Sequence, residues 1–250
     1  MSADTILLRG QHITRRWGGL VAVNDVSIDL VRGDVHAVIG TNGAGKSTLI
    51  NILSGEIPPS SGSVELLGQD VTAWSQPRRA RAGLGRSYQR NTIYPSFTVM
   101  ENCRLAAQAA WQHPWRWWEA ASRCTQSNEA ARQAAHSAGL TDYLGRTAGL
   151  LSHGQKRQLE IAMCLATSPQ VLLLDEPLAG MGAEETERML ELLAQLRRTH
   201  AVLLVEHDMD AVFRIADRIT VMVNGAVIAS GAPQAIRDNA EVQSAYLGGH

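Results

Sequence analysis

Gly40-Thr41-Asn42-Gly43-Ala44-Gly45-Lys46-Ser47-Thr48 decides the fold, because it fits G-x-x-x-x-G-K-[ST]. An apolar run, Val35 to Ile39, precedes it, and a segment of helical character, Lys46 to Ser54, follows. The order is strand, glycine loop, helix. Glycines at Gly40, Gly43 and Gly45 permit backbone angles and close approaches that a Cβ would block. Backbone N–H groups along the loop, Asn42 and Ala44 included, then turn inward toward phosphate oxygens. The helix N-terminus adds positive potential. In this pattern Lys46 reaches the outer phosphates, Ser47 offers a hydroxyl to Mg²⁺, and Thr48 continues into the helix. A bare glycine turn with a solvated lysine explains less of the context.

Working outward, the chain has 250 residues and a formal net charge of −1, enough for one domain with a large core and no electrostatic footprint for nucleic acid. The basic cluster Arg78-Arg79-Ala80-Arg81 reads as a solvated face. Three cysteines, Cys103, Cys124 and Cys164, are odd in number and far apart, which suits a reducing compartment and suggests no metal spacing. Met1-Ser2-Ala3-Asp4 carries no basic-then-apolar pattern, and no apolar run nears the ~20 residues of a membrane span. A membrane role is expected to go through a partner.

The first third is β-rich, with strands expected at Thr5 to Leu8, Leu20 to Leu30, Val35 to Ile39 and Ser63 to Leu67. From about Val99 to Thr167 helix formers and alanines dominate, broken at Pro114 and at Gly139, Gly145 and Gly149. The last third returns to alternation. Val171 to Leu174 and Ala201 to Val205 read as buried parallel strands, Glu184 to Arg198, Asp208 to Ala216 and Asn239 to Leu247 as helices, and Asn224-Gly225 as a hairpin turn. The fold expected is α/β: a phosphate-loop core with a mostly parallel mixed sheet and an antiparallel β subdomain, plus an inserted helical subdomain. The core is expected over residues 1–88 and 168–250 and the insertion over 89–167, within one domain, 1–250.

A second element closes the strand Val171 to Leu174 with Asp175-Glu176-Pro177. Ligands in open α/β sheets sit at the carboxyl ends of strands, so Asp175 is placed for Mg²⁺ and Glu176 for the attacking water. Alone, the acids read equally well as helix caps. A third element, Leu151-Ser152-His153-Gly154-Gln155, opens a helix; Ser152 is a good N-cap, and a serine–glycine pair there suits an anion. An ordinary capped helix reads the same way.

Together these elements resemble the ATP-binding-cassette family, the motor subunits of membrane transporters. Its Leu-Ser-Gly-Gly-Gln motif stands here as Leu151-Ser152-His153-Gly154-Gln155, before the Asp175-Glu176 strand. The resemblance implies ATP and Mg²⁺ as ligands, with Glu176, His207 and Gln89 catalytic and with Ser47, Gln89 and Asp175 at the metal. It implies that Trp17 stacks on adenine and that Ser152, Gly154 and Gln155 meet the γ-phosphate of a second subunit, in a homo- or heterodimer. Read alone, Gln89 is a surface glutamine, His207 a structural histidine and Trp17 a core tryptophan. Two departures stand out: His153 replaces a glycine, and Gly182 stands where many members place an aspartate.

Finer matches resemble the ATPases of bacterial branched-chain amino acid uptake: Trp17-Gly18-Gly19-Leu20, Thr98-Val99-Met100-Glu101-Asn102, Ala179-Gly180-Met181, Glu206-His207-Asp208-Met209 and Ala245-Tyr246-Leu247-Gly248. The resemblance implies permease partners, an indirect solute-binding protein, no nucleic acid, and a peripheral place on the cytoplasmic face of the inner membrane. Urea, amide or aromatic-acid import and a soluble non-transport ATPase are the alternatives. Trp111, Trp115, Trp117 and Trp118 form a cluster that reads either as an interface or as the insertion's own packing.

Overall fold

The computed structural model describes residues 5–87, 93–111 and 124–247. In chain order the elements are β1 (Ile6–Trp17), β2 (Leu20–Val31), β3 (Val35–Gly40), α1 (Lys46–Ser54), β4 (Ser61–Leu66), β5 (Gln69–Asp70), α2 (Gln76–Arg81), β6 (Leu84–Arg86), α3 (Val99–Trp111) and α4 (Thr125–Ser137). There follow α5 (His153–Leu165), β7 (Val171–Asp175), α6 (Ala183–Leu196), β8 (Ala201–Val205), α7 (Met209–Ile215), β9 (Arg218–Val223), β10 (Ala226–Gly231), α8 (Pro233–Arg237) and α9 (Ala240–Leu247).

Two sheets form. Six strands run in the order β10-β9-β3-β8-β7-β6, parallel except for the β9–β10 hairpin. Four run in the order β2-β1-β4-β5, all antiparallel. The continuous apolar runs of β3, β7 and β8 are buried at every residue, as a sheet covered on both faces requires. Alternation divides them between two cores. Val171, Leu173, Ala201, Leu203 and Val205 pack with Leu49, Ile50 and Leu53 of α1 and with the antiparallel sheet. Leu172, Leu174, Val202 and Leu204 pack with Met189, Leu193 and Leu196 of α6 and with Ala211 of α7. Helices α3, α4 and α5 surround a separate core of Val99, Cys103, Ala131, Ala135, Leu140 and Leu159. Small alanines there let the helix backbones approach closely.

β9 and β10 join through Asn224 and Gly225, both with positive φ (49° and 83°), the geometry of a type I′ turn. This turn braces the phosphate loop: Gly225 N–H donates to the Ala44 carbonyl at 3.1 Å, and Asn24 N–H donates to the Gly225 carbonyl at 2.8 Å.

Two expectations need correction, and two short strands were not expected. The first strand runs on from Leu8 to Trp17; polar Arg9, Gln11 and His12 hide it, and a register shift between Gly10 and Ile13 breaks its alternation. The short β5 and β6 carry too few residues to show a period. Arg79 is not solvated. It is fully buried, donating to the carbonyls of Ile52 and Leu53 at 2.8 Å and of Thr72 at 3.1 Å. It thereby satisfies the carbonyls that end α1. α3 is described as far as Trp111, and Trp115, Trp117 and Trp118 lie outside the described residues.

Candidate nucleotide site

The parallel register aligns the carboxyl ends. Val38 of β3 and Asp175 of β7 both pair with Val205 of β8, so the loop after Gly40, the acids Asp175 and Glu176, and His207 emerge along one edge.

Glycine is required in the loop at two points. A Cβ on Gly40 would lie 2.2 Å from the Met222 carbonyl oxygen. Gly45 has φ +96°, and a Cβ there would lie 2.3 Å from the Ala22 carbonyl oxygen. Gly45 also caps α1, with Leu49 N–H donating to its carbonyl at 2.9 Å. Thr41, Asn42, Gly43 and Ser47 are exposed and Thr48 half-buried, so the rim faces solvent. Lys46 is buried and folds back, its Nζ donating to the carbonyls of Gly40 at 2.7 Å and Thr41 at 3.0 Å. Burial lowers its pKa, while the charges of Glu176 and Asp175 oppose that shift.

Asp175 is buried, and burial raises its pKa against the pull of Arg86 and Lys46. Its Oδ1 is buried with no hydrogen-bond partner, and an unpartnered carboxylate oxygen beside a phosphate cradle fits a divalent cation. The chemistry of the donors agrees with that cation: a carboxylate and the exposed Ser47 hydroxyl are both hard oxygens. The glycine cradle, closed to a Cβ at Gly40 and Gly45, fits phosphate oxygens in the same way.

Glu176 takes φ +49°, a left-handed angle uncommon outside glycine. Its N–H still donates to the Val205 carbonyl at 2.9 Å, so the turn begins directly after the ladder and carries the side chain out at the strand end. His207 Nδ1 lies 3.9 Å from Glu176 Oε1 and 3.8 Å from Glu206 Oε2, beyond hydrogen-bond distance to either. Glu206 is buried, and its carboxylate accepts from Leu178 N–H at 2.8 Å and His207 N–H at 3.2 Å. Burial raises its pKa, opposed by those two bonds.

Ser152, Gly154 and Gln155 stand together at the start of α5. Ser152 caps the helix, its Oγ accepting from Gln155 N–H at 3.2 Å while Gln155 Oε1 accepts from Ser152 N–H at 3.0 Å. His153 Nε2–H donates to the Ala179 carbonyl at 3.0 Å.

The structure thus brings the loop, Lys46, Asp175, Glu176 and His207 together, and sets the Ser152 group on a separate helix tip. Trp17 ends β1 and is 45% exposed, with the Arg15 guanidinium 5.1 Å from its ring centre; it is no core tryptophan. Gln89 lies outside the described residues. Sequence reasoning missed Glu206, which accepts from the distant Leu178 N–H, and Arg79, which donates to the distant Ile52 and Leu53 carbonyls. The adjacency of Glu206 to His207 was the one available signal.

Among the described residues, no helix is long and apolar enough to cross a membrane. A family model described as an ABC transporter matches residues 23–179, and one described as a branched-chain amino acid ATP-binding cassette transporter matches residues 226–250. The chain is 39% identical to the high-affinity branched-chain amino acid transport ATP-binding protein BraF of Pseudomonas aeruginosa, covering 97% of this chain and 98% of that one. It is 38% identical to LivG of Escherichia coli, with the same coverage. Among solved structures, an ATP-binding cassette of an ABC transporter in its ADP conformation superposes with a TM-score of 0.87 at 29% identity, over 98% of this chain and 99% of that one. A nucleotide-free cassette superposes equally well, at 28% identity, over 97% and 99%. The chain therefore belongs to the ABC transporter family, as one of its ATP-binding cassette ATPases.

Proposed function

We propose that two such cassettes, identical or different, hydrolyse MgATP between them and drive an importer of branched-chain amino acids or a related small solute. The observation that carries the ATPase reading is the convergence of Lys46, an unpartnered Asp175 oxygen, Glu176 and His207 at one sheet edge. The names and near-full coverage of BraF and LivG support the solute class.

Adenine stacks on exposed Trp17. The triphosphate lies along residues 40–48, and Lys46 exchanges its two loop carbonyls for phosphate oxygens. Ser47, Asp175 and Gln89 would hold Mg²⁺, which neutralises phosphate charge when bound. Glu176, carried out by its left-handed turn, takes the proton of the attacking water. His207 needs to close only about an ångström onto Glu176 to orient it, a movement of the usual size on ligand binding. Ser152, Gly154 and Gln155 donate to the γ-phosphate on the partner cassette, with residues 89–167 as the lobe that carries them and residues 1–88 and 168–250 as the core. The assembly sits on the cytoplasmic face of the inner membrane, against permease subunits fed by a solute-binding protein.

Glu176→Gln tests this reading. The variant is expected to bind MgATP like the parent, to release phosphate at least ~100-fold more slowly, and to accumulate as an ATP-bound pair. Unimpaired phosphate release would remove Glu176 from the role of base. Loss of leucine uptake on deletion of the gene, restored by the parent and not by Glu176→Gln, tests the solute class; unchanged uptake of leucine, isoleucine and valine would overturn it.

A further inference from the structure

The anion-binding tip of α5 already holds an anion. Glu185, in the first turn of α6, places Oε1 2.9 Å from Ser152 Oγ and 3.1 Å from Gly154 N, and both groups donate to it. The fit is close: a Cβ on Gly154 would lie 2.7 Å from the Glu185 carboxyl carbon. Ser152 has one hydroxyl proton and Gly154 one amide proton, so neither serves a second acceptor at full strength while Glu185 is in place. The Ser152 and Gly154 bonds, with the Gly182 N–H, hold the Glu185 carboxyl below the usual carboxylate range, so the resident charge persists at neutral pH.

We infer that Glu185 is a resident stand-in for the partner's γ-phosphate, a positioning residue that must swing out of the Ser152–Gly154 cradle before two cassettes close on ATP. This rests on the assignment of Ser152 and Gly154 to the partner's nucleotide. The cradle keeps its shape without Glu185. The Ser152–Gln155 capping box fixes the serine rotor from within α5, and the His153–Ala179 bond ties the helix tip to the loop that follows Glu176. Removing the carboxylate therefore removes a competitor more than a support. The exchange also couples pairing to motion of residues 179–185, which the two contacts grip at either end.

The test uses the full chain carrying Glu176→Gln, with ATP as the probe. The ATP concentration giving half-maximal pairing is read by sedimentation. Glu185→Ala and Glu185→Gln are each expected to lower it about fivefold, a solvent-screened charged hydrogen bond lost from the unpaired state. Adding Ser152→Ala to Glu185→Ala is expected to reverse the gain. Fluorescent-ATP binding, at protein concentrations too low for pairing, is expected to stay unchanged. A gain in pairing is not what damage to α6 would produce. If Glu185→Ala fails to fold, the nearly isosteric Glu185→Gln carries the comparison. A folded Glu185 variant with an unchanged or raised half-point overturns the inference while leaving the ATPase reading intact. A Glu176→Gln parent that binds ATP and never pairs overturns the shared-site reading, and the inference with it.

Discussion

Acid should weaken this protein through one buried histidine. His36 in β3 is 4% exposed. Its Nδ1 lies 3.0 Å from the Asp29 carbonyl, which can only accept, so Nδ1 carries the proton. Nε2 then accepts from the Thr220 hydroxyl at 2.8 Å, and Thr220 Oγ1 lies 2.8 Å from the Ser230 hydroxyl. A second ring proton has no acceptor unless that chain reverses. Burial, aided by the nearby Arg218 charge, lowers the His36 pKa to about 4 from 6.5. Because the folded pKa lies below the unfolded one, unfolding takes up a proton between those values. Stability is therefore kept above pH 6.5 and lost as pH falls toward 4. Linkage over that gap amounts to about 3 kcal/mol in full, of which ~2 kcal/mol is lost between pH 7 and pH 5. Urea unfolding of the parent and of His36→Gln at both pH values isolates the effect, since every other titrating group cancels in the difference. The variant is expected to be less stable at pH 7 and to close most of that gap at pH 5. A difference that stays constant across the two pH values would refute the argument.

Arg79→Met should cost about 2–4 kcal/mol in urea unfolding, because the carbonyls of Ile52, Leu53 and Thr72 lose their shared donor in a dry site; a loss under ~0.5 kcal/mol would contradict its place at the end of α1. Gly45→Ala meets both a left-handed φ and the Ala22 carbonyl, so a local strain of about 1–3 kcal/mol is expected, read as roughly tenfold or greater loss of ATP affinity by calorimetry. Cys103 is fully buried and its thiol pKa is pushed up to about 12, so a disulfide reagent at pH 8 should titrate it only after denaturation; rapid reaction of all three cysteines in the native protein would contradict that burial.

The phosphate loop was legible because its chemistry is local: glycine, lysine and hydroxyl lie within nine consecutive residues flanked by a strand and a helix. The parallel strands were legible for a related reason, since burial on both faces leaves continuous apolar runs at Val171 and Ala201. Ser152 announced its cap through Gln155 three residues later. What stayed hidden depends on partners brought from afar. Arg79 is one of three arginines within four residues, and only the ends of α1 and the Thr72 turn set it apart. Glu185 reads as an ordinary acid in a first helical turn until α5 arrives beside it, 33 residues away. The left-handed angle of Glu176, at the residue whose N–H makes the last bond across to β8, is recorded in no local pattern.

The two halves of the proposed site are held ready by different means, and the difference orders their use. In the cradle of residues 40–48, Lys46 rests on two neutral carbonyls, so phosphate oxygens replace partial charges with full ones. Exchange there gains electrostatically for any polyphosphate. At the α5 tip, Ser152 and Gly154 rest on a full carboxylate charge, and a phosphate gains only by what it carries beyond that charge. In the proposed pair, Mg²⁺ and Lys46 on the opposite cassette would offset part of the nucleotide's own charge, narrowing that margin further. A diphosphate in that proposed pair would end short of the partner's tip and present nothing to displace Glu185. On the proposed assignment, loading of nucleotide would be permissive and closure selective, with the selectivity set by an acid inside the same chain.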